Sequence, residues 1–134
     1  MKVVHLVAGS LTGGAARGAY WLHRGLIKEG VNSILITNGQ DSLDDPSVIS
    51  LSDTKARRVK TVAINQANNL PLKLYPKKQS RIFSTGFFGR GISDLDCIND
   101  ADLIHLHWIN GLISLRAISN FKQPIVWTIR DMWP

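Results

Sequence analysis

One cysteine, Cys97, leaves no partner for an internal disulfide and too few thiols for a multi-cysteine zinc site or an iron–sulfur cluster. It suits a reducing compartment. No apolar run nears the ~18 residues that cross a bilayer. Met1–Val7, with one lysine and a short apolar stretch, is too brief for a secretion signal. Charged residues are sparse at 19% against 44% hydrophobic, which excludes a disordered chain. Acids are missing altogether from Thr54 to Ser93, where nine basic residues fall (Lys55, Arg57, Arg58, Lys60, Lys73, Lys77, Lys78, Arg81 and Arg90). The rest of the 134-residue chain holds seven basic and ten acidic residues, for a net charge of +6. A basic segment on a mildly acidic remainder points to an anionic partner: a phosphate, a nucleic acid or an anionic membrane surface. The plain alternative is a solvated face. The length suits one domain, which at this size buries roughly two-thirds of the surface its unfolded chain exposes.

What is present alternates between strand and helix. Lys2–Val7 is a continuous Val-rich run, as in a central parallel strand, and a loop from Gly9 to Gly14 follows it. Ala15–Glu29 reads as a helix with Ala15, Ala19, Leu22 and Leu26 inward, stopped by Gly30. Ser33–Thr37 and Val48–Leu51 read as strands. Asp53 is placed to cap a basic amphipathic helix running to about Asn69, with Val59, Ala63 and Ala67 inward. Leu70–Gly91, with Pro71 and Pro76, is the least regular stretch. Ser93–Asn99 reads as a short helix, Leu103–His107 as a strand, Leu112–Asn120 as a helix and Ile125–Thr128 as the last strand. The class is α/β: a Rossmann-like parallel sheet of about five strands with helices on both faces. The chain stops straight after a strand, which reads as a domain cut short.

Gly9, Gly13, Gly14 and Gly18 lie between a strand and a helix, where bare N–H groups and the helix dipole can receive a phosphate. Two standard versions fail. Gly14-Ala15-Ala16 replaces the Gly-Lys-Ser/Thr that ends a P-loop, and the dinucleotide fingerprint G-x-G-x-x-G is absent. Glycines that only make a tight turn remain the alternative. His105 and His107 face the same side of a strand, a spacing seen in zinc sites. A third ligand would have to come from His5, His23 or Asp102, and no pattern supports one, so no metal is expected. His107 stands at the strand's C-terminal end beside Trp108 and Asn110. In the common 3-2-1-4-5 strand order it shares a crevice with Gly13 and Gly14. His5 and His105, inside their strands, read as core histidines. Asp94-Leu95-Asp96 reads as helix capping rather than a metal-binding DxD. No G-x-S-x-G elbow or base for Cys97 supports a nucleophilic triad. Tyr75, Phe83, Phe87 and Phe88 among basic residues leave nucleic acid a minor option; none is expected.

Three segments carry a resemblance: Lys2–Leu26 with Gly13-Gly14-Ala15-Ala16-Arg17, Ala101–Gly111 with His105-Leu106-His107-Trp108-Ile109-Asn110, and Val126–Pro134 with Arg130-Asp131-Met132-Trp133-Pro134. In these the chain resembles the N-terminal, acceptor-side domain of a GT-B glycosyltransferase of family 4. The resemblance implies a second, donor-side domain after Pro134 and residues 1–134 as an incomplete half. It implies a retaining enzyme that moves a sugar from a nucleotide-sugar donor to a polysaccharide or lipid-linked acceptor, with no metal or other cofactor. It implies His107 as the catalytic contact to the transferred sugar. Gly13, Gly14, Arg17, Trp108, Asn110, Arg130 and Asp131 would bind donor phosphate or acceptor. Many relatives have His-Asp where this chain has Arg130-Asp131, and an arginine fork can still hold a phosphate oxygen. The expected location is cytoplasmic, peripheral at the inner membrane face, through an electrostatic contact of the Lys55–Arg90 segment with anionic lipid. The alternatives are a non-catalytic nucleotide- or anion-binding module and, behind it, a nucleic-acid-binding domain. The 134-residue chain alone is expected to transfer no sugar.

Overall fold

A computed structural model describes residues 1–39, 44–73 and 85–129. Its strands are β1 (Lys2–Val7), β2 (Asn32–Thr37), β3 (Val48–Ser50), β4 (Leu103–Leu106) and β5 (Ile125–Trp127). They form one five-stranded, all-parallel sheet in the order β3-β2-β1-β4-β5. Between them run α1 (Gly14–Lys28), α2 (Lys55–Lys73), α3 (Asp96–Asn99) and α4 (Leu115–Ile118). The α/β class, the parallel sheet and its strand order therefore match the reading of the sequence. Among the described residues no helix is long and apolar enough to cross a membrane.

The register sets which residues share a face. Val3 pairs with Leu103 and His5 with His105, so odd-numbered residues of β1 and β4 point one way and even-numbered ones the other. The buried part of the even face is apolar. Val4, Leu6, Ile36, Ile104 and Leu106 meet Ile92, Ile98, Ile109, Leu112 and Ile113 from the segments around α3 and α4. Full burial of each such side chain stabilises the fold by roughly 1.5–3 kcal/mol. The odd face lies under α1 and is mixed. Val7 and Leu35 pack with Leu11, Ala16 and Ala19, but His5, Ser33, His105 and His107 lie on this side too.

Two helices are rotated from the faces their apolar spacing predicts. In α1 the buried positions are Ala16, Ala19 and His23, while Leu22 is 39% exposed. His23 takes the inward place because both its ring nitrogens find partners there, Ser33 Oγ at 2.7 Å and Ser47 Oγ at 2.9 Å. The helix ends where Gly30 adopts φ +76° and its N–H bonds the carbonyl of Ile27. In α2 the expected inward Val59 and Ala63 are exposed, Ala67 is half-buried, and the one fully buried side chain described is polar. Asn68 is buried because its amide bridges the backbone N–H and C=O of Phe88. Thr61 meets Ser52 Oγ and Arg90. The cap is Thr54, whose side chain receives the N–H of Arg57; Asp53 instead pairs with the Arg57 guanidinium. The short helices are shorter than expected. Asp96, not Ser93, opens α3, and α4 starts after Ser114, whose Oγ accepts from the N–H of Ala117.

Candidate functional site

At β1 the strand order reverses, with β2 and β3 on one side and β4 and β5 on the other. A crevice opens outside the carboxyl ends of strands at such a switch point. Here the loop after β1 and the loop after β4 wall a cleft of about 670 Å³. Ala8 to Ser10 and Thr12 to Ala16 form one side, Trp108 and Asn110 another, and Asn65, Asn68 and Asn69 of α2 the third. A second opening of about 480 Å³ shares Gly9, Ser10, Trp108 and Asn110 and reaches Asn38 and Gly39.

The loop after β1 is held from below by the end of β2. Asn38 Oδ1 accepts the N–H of Gly9 at 2.7 Å, and Thr37 Oγ1 donates to the Gly9 carbonyl at 2.7 Å. The Asn38 amide also donates to the carbonyl of Gly111, joining the two loops. Gly39 must be glycine, since a Cβ there would run into the Gly9 carbonyl. Gly13 occupies the N-cap of α1 with extended backbone and no side-chain cap, and Gly13 to Ala16 of this uncapped first turn line the cleft. The described lining holds glycines, alanines, hydroxyls, amides and one indole, and no titratable side chain. Its chemistry is hydrogen bonding and the positive end of a helix dipole, suited to a polar or anionic ligand.

The structure brings Gly13, Gly14, Trp108 and Asn110 together around this cleft. Arg17 lies apart, exposed, its guanidinium 5.0 Å from the Trp21 ring. Arg130 and Asp131 fall outside the described residues, as do Lys77, Lys78 and Arg81 of the basic segment. Asp94 and Asp96 do not line either opening. Of the described basic residues, Lys55, Arg57, Arg58 and Lys60 are exposed, whereas Arg90 is buried and donates to the Arg57 carbonyl and Thr61 Oγ1. The asparagines of α2 were missed from sequence. The signal was there in Asn65, Asn68 and Asn69, amides recurring at helical spacing.

His107 does not line either opening. It is 2% exposed and turned under α1, where all four histidines of the chain gather. The rings of His105 and His107 stack with centroids 4.2 Å apart, and His5 stands 5.1 Å from one and 5.4 Å from the other. His5 Nδ1 and His107 Nε2 share a hydrogen bond at 3.1 Å, and His105 Nε2 meets Thr128 Oγ1 at 2.7 Å. Burial, helped by the nearby His105 and His23, pushes the His5 imidazole down to about 3. Burial also lowers His23, against an opposing pull from Asp45. For Asp45 itself burial would raise the carboxyl. The Ser47 hydroxyl and N–H, the Tyr20 hydroxyl and Arg24 outweigh it and hold the group at about 2. Ser47 Oγ donates to Asp45, so it accepts from His23 Nε2–H, and His23 Nδ1 in turn accepts from Ser33. No protein family, curated protein or solved structure matches this chain at a significant level.

Proposed function

We propose that the chain is the acceptor-side half of a GT-B glycosyltransferase that uses a nucleotide-sugar donor and a glycan or lipid-linked acceptor. The observation that supports this reading most is the cleft at the β1/β4 switch point, where the Gly13-Gly14 turn and the α1 N-terminus face Trp108 and Asn110. Such a wall can receive a diphosphate on backbone N–H groups and a sugar against an indole and amides. Its lack of titratable side chains favours one second reading, a non-catalytic nucleotide- or anion-binding module. On the first reading, the grip on base and ribose comes from a donor domain. Transfer draws much of its rate from positioning and from stabilising the departing diphosphate. Residues 1–134 alone therefore bind nucleotide sugars only at about millimolar strength, because a few contacts on an open face scarcely offset the freedom lost on association. The exposed Lys55, Arg58 and Lys60, with Val59 and Val62 beside them, supply the contact to an anionic membrane.

The test is a titration of the isotope-labelled chain with nucleotide sugars, followed by amide NMR shifts. The reading expects weak, saturable shifts at residues 9–16 and 108–111. Shifts elsewhere, or none at ten millimolar, count against it. Equal shifts with nucleotide alone, inorganic diphosphate and nucleotide sugar favour the binding module. Co-sedimentation with anionic vesicles that is insensitive to salt removes the electrostatic membrane contact.

A further inference from the structure

We propose that His5, His105 and His107 form a site for one late first-row divalent cation, zinc foremost, beneath α1 and separate from the cleft. The inference goes beyond the transferase reading and does not depend on it. The sheet itself brings the ligands together. Parallel register sets His5 beside His105, and the two-residue alternation of a strand returns His107 to the same face. Each offers one ring nitrogen, and the three nitrogens lie within 4.8 Å of one another. Nitrogens on one tetrahedral zinc are ~3.3 Å apart and ring centroids roughly 5 Å apart, given Zn–N distances of 2.0–2.1 Å. The three ring-centroid distances run from 4.2 to 5.4 Å.

Two further observations point to a ligand. His5 is wholly buried, yet its Nε2 has no hydrogen-bonding partner among the described residues. A buried polar atom in that condition is uncommon in a native fold. The bond from His105 Nε2 to Thr128 is the kind of outer contact that fixes the tautomer and aim of a metal-bound imidazole. Imidazole ligands suit zinc, copper, nickel or cobalt; magnesium and calcium ask for oxygen. His23 stands 5.9 Å from His5 but has both nitrogens committed to Ser33 and Ser47, so it belongs to the surroundings and not to the ligand set.

The experiment loads the full chain, carrying no affinity tag, with zinc chloride and measures metal content after gel filtration. The expected result is one zinc per chain and a raised thermal midpoint that chelator reverses. His5→Gln and His107→Gln lose the bound zinc, His107→Cys keeps it, and His23→Gln binds as the native chain does. Thr128→Val weakens binding by about tenfold. X-ray absorption at the zinc edge of the native chain, which needs no variant to fold, shows imidazole scattering. Absence of stoichiometric zinc, a zinc shell without imidazole, or undiminished binding in folded His5→Gln or His107→Gln overturns the proposal.

Discussion

The two faces of the one sheet are built on opposite plans. The even face carries Val4, Leu6, Ile104 and Leu106 against isoleucines and leucines, a core held by apolar burial alone. The odd face, separated from it by the thickness of a strand, holds three histidines and Ser33, which bonds His23 of α1 and through it Ser47, Asp45, Tyr20 and Arg24. The difference teaches where stability and where specificity reside. Apolar contacts are non-directional, so the even face tolerates exchange among residues of similar size. Hydrogen-bonded imidazoles work only in one geometry, and each unmatched atom carries a cost.

The largest expected effect is on the apolar side. Leu106→Ala, at a fully buried position, lowers unfolding free energy by about 2–5 kcal/mol in urea denaturation. A cost below that of the polar substitutions would reverse the ranking of the two faces. Gly39→Ala comes next at roughly 1–3 kcal/mol, because its Cβ meets the Gly9 backbone, and the amides of residues 9–14 should shift with it. On the polar face, His23→Leu keeps the bulk but removes the partner of the Ser33 hydroxyl and leaves Ser47 bonded to Asp45 alone, for about 1–2 kcal/mol by the same denaturation. An increase in stability would mean that the serines re-pair freely.

The acid response sharpens the comparison further. Asp45 titrates at about 2 in the folded chain, below its ordinary value of 3.8. Its contribution is therefore complete above 3.8 and is lost as the pH falls through 2, since the unfolded state takes up the proton first. Asp45→Asn should flatten that part of the stability–pH curve, whereas Leu106→Ala should lower the whole curve without changing its slope. The smallest effect is Val59→Ser on α2, within ±0.5 kcal/mol, because Val59 is 68% exposed. A loss of a kilocalorie or more would restore the inward apolar stripe that the sequence suggested.

The elements that were legible are those with strong local signals. β1 and β2 showed as continuous β-branched runs with loops at their ends, and the end of α1 showed in Gly30. Strand order and strand ends brought the glycine turn and the loop after β4 to one crevice, but His107, assigned to it on the same grounds, is buried and lines neither opening. The helix faces were not legible in the same way. A spacing rule places apolar residues inward, and it fails where polar side chains find partners, as His23 does on β2 and Asn68 does on the Phe88 backbone.

Composition and periodicity alone determined the α/β class, the parallel sheet and the place of the loop after β1, since these rest on local backbone preference and alternation of elements. Only the tertiary structure decided which way α1 and α2 face, that Asn65 and Asn68 line the cleft, and that His5 joins His105 and His107. His5 and His107 lie 102 residues apart in the chain. No local rule relates such positions; the pairing of β1 with β4 does, because a parallel register sets both the neighbour and the face of every side chain at once.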